Sequence, residues 1–167
     1  MKKLFTLFLI AYIPFQLFSG DKDLLKVRDL YYRASANKED AEIFHEYLIA
    51  KPEITTDLLS GYKGISYMIK ANYSWNPYNK LSFFNKGKDL LDNAIGKDPS
   101  NVELRFLRYC VQANAPGFLG YSGKIKEDKA LILYGYAFLK DTDLKYRIKN
   151  YLSISKYLTE EEKRSLK

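Results

Sequence analysis

The stretch from Asp98 to Tyr121 constrains the fold most, because it places one continuous helical pattern between two helix breaks. Pro99 ends the preceding helix, since the residue before a proline is pushed out of the α region. Ser100 or Asn101 can then cap a new helix. Its apolar positions recur at spacings of three and four, in one stripe of Val102, Phe106, Tyr109, Cys110 and Ala113 and a second of Leu104, Leu107 and Val111. This wide apolar surface predicts a central helix that packs on more than one side.

Two arginines interrupt the apolar pattern of this helix. Arg105 and Arg108 share a helical face, and Asp89 and Asp92 have the same spacing on the preceding helix. In an antiparallel hairpin, Asp92 is expected to meet Arg105 and Asp89 is expected to meet Arg108. Partly buried charges need partners, so we interpret these pairs as structural ion pairs between the helices. The alternative is that the two arginines hold an anion or a substrate carboxylate.

A loop with three glycines and a proline follows the predicted helix end near Asn114. Glycine supplies positive φ and proline fixes φ, so this loop has a defined shape. Phe118, Leu119 and Tyr121 lie between these turn residues. Two interpretations stay open: the loop plugs the end of the helical core, or it forms an exposed aromatic contact surface.

The first part of the chain, Met1 to about Gly20, has the pattern of a secretory signal peptide. Lys2 and Lys3 are followed by an apolar run from Leu4 to Ile13. This run is shorter than the roughly 20 apolar residues of a transmembrane helix. The pattern predicts a periplasmic or secreted protein, with an uncleaved membrane anchor as the alternative.

The remaining chain, residues 21–167, has the length of a single domain. Loss of Lys2 and Lys3 leaves 25 of the 27 basic residues against 20 acidic ones, a net charge of +5. The lysines are scattered, and export argues against nucleic acid as a partner. Cys110 is the only cysteine and lies on an apolar helical face, which favours a buried core residue over a reactive thiol.

Turn and capping signals divide this chain into about seven helices and a short terminal one. The predicted helix starts are Asn37, Thr55 or Thr56, Asn76 with Pro77, Ser100 or Asn101, Ser122 or Gly123, Asp141 with Thr142, and Thr159 with Glu162. Lys51-Pro52 is expected to end the second helix. No segment alternates cleanly over the length of a strand. The sequence therefore predicts an all-α fold of stacked antiparallel hairpins.

Two helices carry more specific packing signals. Gly61 and Gly64 lie three positions apart on the third helix and leave a flat patch, where another helix can approach closely. On the sixth helix, the expected buried residues are Ile125, Ala130, Leu133, Tyr134, Ala137 and Phe138.

The segment from Ala94 to Asn101 resembles the end of a tetratricopeptide repeat, and Gly64 to Tyr67 resembles the Gly-x-x-Tyr of its first helix. The distance from Gly64 to Gly87 is about twice that of the standard repeat, which implies an insertion around Trp75. The resemblance therefore implies tetratricopeptide-like, α-solenoid-like stacking rather than a standard array.

A second resemblance covers roughly Thr55 to Leu133 and concerns a family of short, exported bacterial proteins of unknown function. The segments that carry it are Gly61–Gly64, Asn76–Leu81, Glu103–Arg108, Asn114–Tyr121 and Asp128–Lys129. It implies a single helical domain and offers no activity.

The residues that commonly perform catalysis form no recognisable pattern. His45 is the only histidine, and its helix neighbours Glu42 and Glu46 fall short of the three or four ligands of a typical metal site. One histidine without a nucleophile elbow gives no convincing Ser–His–Asp order. The glycines at 117, 120 and 123 lack the lysine and the strand of a phosphate-binding loop. We therefore expect no catalytic residues, no metal and no cofactor.

The aromatic loops provide the best candidate surface. In an antiparallel helical array, the loop between the third and fourth helices lies at the same end as the loop between the fifth and sixth. The predicted binding residues are Trp75, Pro77, Tyr78, Pro116, Phe118, Leu119 and Tyr121. Aromatic clusters of this kind suit protein, peptide or sugar contacts. The alternative is that both loops only seal the core.

The leading functional hypothesis is a non-enzymatic periplasmic or secreted interaction module with a protein or peptide partner. The alternative is a small enzyme or ligand-binding protein, whose site uses Arg105, Arg108 and nearby tyrosines. The two hypotheses differ in the state of the arginines: a polar pocket with free guanidinium groups favours the second, and completed ion pairs beside an exposed aromatic surface favour the first.

Overall fold

Eight α-helices follow one another in the computed structural model, which describes residues 20–50 and 56–166 and shows no strand among them. They are α1 (Gly20–Ala34), α2 (Lys38–Ile49), α3 (Asp57–Tyr73), α4 (Pro77–Lys97), α5 (Val102–Asn114), α6 (Ile125–Tyr136), α7 (Thr142–Ser153) and α8 (Glu160–Arg164), with a 3₁₀ turn at Gly117–Leu119. The predicted all-α class is confirmed. The signal-peptide prediction and the helix end at Lys51-Pro52 fall on residues outside the described ranges.

Side-chain caps start most of these helices where the sequence predicts them. The capping residues are Asn37, Thr56, Asn76, Asn101, Asp141 and Thr159. Each accepts a hydrogen bond from a backbone N–H of the first turn, a group that has no partner within the helix. The exception is α6, which neither Ser122 nor Gly123 caps. There the backbone N–H of Lys124 donates to Oε1 of Gln112 at 2.8 Å.

The α3–α4 hairpin is held at a close backbone approach between two glycines. A Cβ atom on Gly64 would lie 2.5 Å from the backbone oxygen of Gly87, and a Cβ atom on Gly87 would contact the backbone oxygen of Gly64. Only glycine permits this separation, which confirms the predicted close-packing role of Gly64. Gly61 lies one turn earlier on α3 and faces Leu104 of α5.

Helix α5 is the centre of the described structure. Every residue from Glu103 to Cys110 is buried. Leu104 and Leu107 belong to a core cluster built with α1 to α4, whereas Phe106, Tyr109 and Cys110 belong to a second cluster built with the C-terminal helices. The prediction of a central helix packed on more than one side is confirmed. The tetratricopeptide-like arrangement of the hairpins stays a prediction.

The predicted buried face of α6 is correct only in part. Ile125 and Leu133 are half-buried and pack against the second core cluster, whereas Ala130, Tyr134, Ala137 and Phe138 are exposed. Tyr134 and Phe138 are 72% and 69% exposed. Asp128, Ile132 and Tyr136 are buried instead, at intervals of four residues along the helix. The physical reason is that Asp128 bonds to the arginines of α5, which rotates this side of α6 inward.

None of the described helices is both long and apolar enough to cross a membrane.

Candidate functional site

Arg105 and Arg108 converge on one buried carboxylate, Asp128 of α6. Both arginines are 7% exposed and Asp128 is fully buried. Arg108 donates from Nε and Nη2 to the two oxygens of Asp128 at 2.8 and 2.7 Å, and Arg105 donates from Nη1 at 3.0 Å. Arg108 also donates to Asp92 of α4 at 3.2 Å, and Arg105 donates to Glu127 at 2.9 Å. These bonds tie α4, α5 and α6 together.

The predicted register of these ion pairs is wrong. Asp92 bonds to Arg108 rather than to Arg105, and Asp89 is exposed and bonds to neither arginine. The prediction considered only the α4–α5 hairpin. The structure supplies a carboxylate from α6, which the sequence places far from the hairpin, and Arg105 turns toward it.

The remaining polar atoms of this cluster are also occupied. Gln112 donates to Asp128 at 2.6 Å, and the hydroxyl of Tyr121 donates to Asp92 at 2.8 Å. Burial lowers the pKa of Arg108, but the hydrogen bonds and charges of Asp128 and Asp92 outweigh burial and raise this pKa above its usual value. Within the described ranges, no buried side-chain N or O atom lacks a partner. The guanidinium groups are therefore engaged by the protein itself.

A second buried ion cluster, absent from the sequence analysis, joins α1 to α5 and α7. Arg28 is 2% exposed and donates from Nε and Nη2 to the two oxygens of Glu103, each at 2.6 Å. The hydroxyl of Tyr62 donates to Glu103 at 2.6 Å. Arg28 also donates to Asp141 at 2.8 Å and to Asp143 at 3.0 Å, at the start of α7. No sequence signal marks these residues, because a lone charge on an amphipathic helix normally faces solvent.

His45 lies at the edge of the α2–α3 interface rather than in a metal site. Its Nδ1 is 3.0 Å from Oγ of Ser66, and its ring meets Tyr67 edge-on with the centroids 4.6 Å apart. Burial, followed by the charges of Lys70, Lys86 and Lys63, lowers the pKa of His45 to about 4. The imidazole is therefore neutral at pH 7. The part of the chain that the structure describes contains no group of three His, Cys, Asp or Glu side chains placed to hold a metal ion.

Cys110 is buried, as predicted for a core cysteine. Burial raises the pKa of its thiol to about 12, although hydrogen bonds with Tyr31 and Tyr151 act in the opposite direction. The thiolate, which is the reactive form, is therefore scarce at neutral pH.

The predicted aromatic residues divide into exposed and packed groups. Trp75, Tyr78 and Phe118 are 95%, 85% and 87% exposed. The two prolines beside them, Pro77 and Pro116, are also exposed.

Leu119 and Tyr121 belong to the packed group. Both pack against the first core cluster, and the ring of Tyr121 meets Phe84 edge-on with the centroids 5.7 Å apart. The Gly-rich loop therefore seals part of the core with these two side chains and leaves Phe118 in solvent. The plug interpretation is confirmed for Leu119 and Tyr121. Phe118 is exposed, and its role in a contact surface stays a prediction.

The exposed aromatic side chains lie at the ends of parallel helices. Helix α3 runs antiparallel to α4, since Gly61 faces Leu91 and Gly64 faces Gly87. Helix α5 also runs antiparallel to α4, since a short turn joins the two and Arg108 bonds to Asp92. Helices α3 and α5 therefore run in the same direction, and the expected position of Trp75 and Tyr78 beside Phe118 stays a prediction. Among the described aromatic residues, no ring contact joins Trp75 or Tyr78 to Phe118 or Tyr121. We call Trp75, Tyr78 and Phe118 the aromatic end.

A cleft of about 180 Å³ lies beside the Trp75 turn, between α2, α3 and α4. Its lining includes Lys38, Glu42, Lys70, Tyr73, Ser74 and Phe83. Below it, the rings of Phe83 and Tyr67 stack with their centroids 6.3 Å apart. The Nζ of Lys86 is 4.4 Å from the Tyr67 centroid, and the Nζ of Lys70 is 5.7 Å from the Phe83 centroid. Sequence reasoning missed this cleft because its residues come from three helices.

Comparison of the chain with protein-family models, with curated proteins and with solved structures finds no match. Neither the tetratricopeptide resemblance nor the resemblance to exported bacterial proteins gains support from these comparisons.

Proposed function

We propose that this protein is an exported, non-enzymatic interaction module that binds a protein or peptide partner through its aromatic end. The observation that carries the proposal is the exposure of Trp75, Tyr78 and Phe118, each at least 85% open to solvent. Tryptophan is highly buried in most folded proteins. Tryptophan and tyrosine are also the residues that contribute most to binding when a partner removes them from water.

The state of the arginines supports the interaction module over the enzyme or ligand-binding alternative. A site built on Arg105 and Arg108 needs guanidinium N–H groups that are directed at a ligand. Here both side chains are buried and donate to Asp128, with Asp92 and Glu127 as further acceptors. A ligand carboxylate would have to displace a protein carboxylate that already fits.

The export part of the proposal rests on the sequence alone. The positive residues Lys2 and Lys3, followed by the apolar run from Leu4 to Ile13, have the order and length of a signal peptide. The expected hairpin stacking belongs to the same proposal, since stacked helical repeats commonly use extended surfaces for binding.

Site-specific photo-crosslinking in intact producing cells tests this function. A benzophenone side chain replaces Trp75 in one variant and Tyr78 in a second. A matched control carries it at Tyr146 of α7, which is 65% exposed. The proposal predicts a discrete crosslinked protein species from the Trp75 and Tyr78 variants and none from the control. Equal crosslinking at all three positions, or none at any, would contradict a dedicated contact surface.

A further inference from the structure

The cleft beside Trp75 lies among lysines whose charge the described part of the chain does not neutralise. Lys70 lines the cleft, and Lys63 and Lys86 lie outside its lining. None of the three forms an ion pair with a described residue. The carboxylate in the cleft lining is Glu42, and it is already 3.7 Å from Nζ of Lys38. The local balance is therefore an excess of ammonium groups.

The helical geometry places these lysines on one surface with the aromatic stack. Lys63, Tyr67 and Lys70 follow one another at spacings of four and three, so they share a face of α3. Phe83 and Lys86 are three apart on α4 and meet this face through the Phe83–Tyr67 stack. The stack therefore has an ammonium group against each of its rings.

We propose that this cleft binds an acidic peptide segment of the partner, with the partner's carboxylates paired to Lys70 and Lys86. This inference rests on the proposed function and specifies the chemistry of the segment that reaches the aromatic end. An apolar or aromatic side chain of the segment would pack against Phe83 and Tyr73 in the cleft. Trp75 directly follows Ser74 of the cleft lining in the chain, and its ring would cover the bound side chain.

The shape of the site favours a peptide over a lipid bilayer. Lys70 and Phe83 lie in the lining of a recess between helices, where a narrow chain can enter. A flat bilayer surface would meet the projecting Trp75 and Tyr78 and would leave the recess unfilled. An extended acidic segment can contact both the recess and its rim.

Fluorescence anisotropy with a labelled glutamate-rich peptide that contains one tyrosine tests the proposal. The comparison peptide carries glutamine at every glutamate. The full-length parent should bind the acidic peptide, bind the glutamine peptide far more weakly, and lose affinity as salt is raised. Lys70→Gln combined with Lys86→Gln should weaken binding roughly tenfold. Lys70→Arg with Lys86→Arg should retain it, because the charge is kept.

The matched control is Lys126→Gln combined with Lys149→Gln, which removes the same charge from exposed positions on α6 and α7. It should change the dissociation constant by less than about twofold. Equal weakening by both pairs would show a non-specific charge effect and would overturn the proposal. Thermal melts of all variants exclude unfolding as the cause of lost binding.

Two further outcomes would also overturn the proposal. One is failure of the parent to bind the acidic peptide at low salt. The other is lysine-dependent binding to phosphatidylglycerol vesicles in place of the peptide, which would assign the surface to lipid headgroups. Crosslinking at Trp75 is independent of this result. If crosslinking at Trp75 still captures a partner, the proposed interaction function is retained and only the acidic character of the bound segment is rejected.

Discussion

Arg28 and Glu103 are 75 positions apart in the chain and form a two-point ion pair in the core, with both N–O distances 2.6 Å. The pair connects the first described helix to the central one. Because both side chains are almost fully buried, each charge depends on the other for the solvation that water provides elsewhere.

Removal of one member of this pair should be costly. We expect Arg28→Met to lower the free energy of unfolding by about 3 kcal/mol, because it leaves the Glu103 carboxylate buried with fewer donors. Combining it with Glu103→Leu should cost less than the sum of the single changes. Urea denaturation of the four proteins measures this coupling. The control is Arg33→Met, where the side chain is 56% exposed and 3.7 Å from Asp40, and it should cost less than about 1 kcal/mol. Additive losses at Arg28 and Glu103 would contradict the pairing.

Asp128 should be the most sensitive carboxylate on α6. Asp128→Asn removes the charge that Arg105 and Arg108 share, so we expect a loss of about 3 to 5 kcal/mol in the free energy of unfolding. Asp89→Asn is the matched control, because Asp89 is exposed and bonds to neither arginine; it should change stability by less than about 0.5 kcal/mol. Urea denaturation distinguishes the two variants. A large effect at Asp89 with a small one at Asp128 would instead support the register expected from the hairpin alone.

The stability of the protein should depend on pH through His45. Burial and three lysines lower its pKa to about 4 in the folded state, from about 6.5 in an unfolded chain. Between these values the unfolded state binds more protons, so stability is complete above about pH 6.5 and falls as the pH drops toward 4. The expected loss is on the order of 2 kcal/mol. Urea midpoints across this range should fall more steeply in the parent than in His45→Gln. Parallel curves would show that His45 does not cause the change.

The glycine contact between α3 and α4 predicts opposite changes in stability for two glycine-to-alanine substitutions. Gly64→Ala places a methyl group against the backbone of Gly87 and should lower stability by about 2 kcal/mol or more. Gly96→Ala, near the end of α4, has no atom within 4 Å of the added Cβ. It should raise stability by about 0.5 kcal/mol, because alanine favours the helix. Thermal melts measure both changes. Similar shifts for the two variants would argue against the close approach.

Local signals in the sequence predict the helices well, because they act over a few residues. Asn76 with Pro77, Asn101 and the pair of Thr159 and Glu162 each satisfy backbone groups of their own first turn. Such bonds do not depend on the rest of the fold, so the residue pattern alone is enough to identify them.

The orientation of α6 depends on a contact that no local pattern contains. Periodicity treats Asp128 as a solvent-facing residue and assigns Tyr134 to the core. In the fold, Arg105 and Arg108 make the burial of Asp128 favourable, and Tyr134 turns outward as a consequence. The same limit applies to Arg28 and to the lysines around the cleft, whose partners or neighbours come from other helices.

Partner capture and stability, measured together for one variant, show whether the aromatic end binds a partner. In this variant Trp75, Tyr78 and Phe118 are all replaced by alanine. Tyr121 is left intact because its hydroxyl bonds to Asp92 and its ring packs on Phe84. A triple alanine variant of Tyr134, Phe138 and Tyr146, also exposed, provides the control.

With a crosslinker applied to the exported fraction, we expect the parent and the control to capture a partner and the aromatic-end variant to capture none. The free energy of unfolding of that variant should stay within about 1 kcal/mol of the parent. Undiminished capture would place the binding surface elsewhere. A loss of several kcal/mol in stability would show that Trp75, Tyr78 and Phe118 hold the fold together, which contradicts their assignment to a partner.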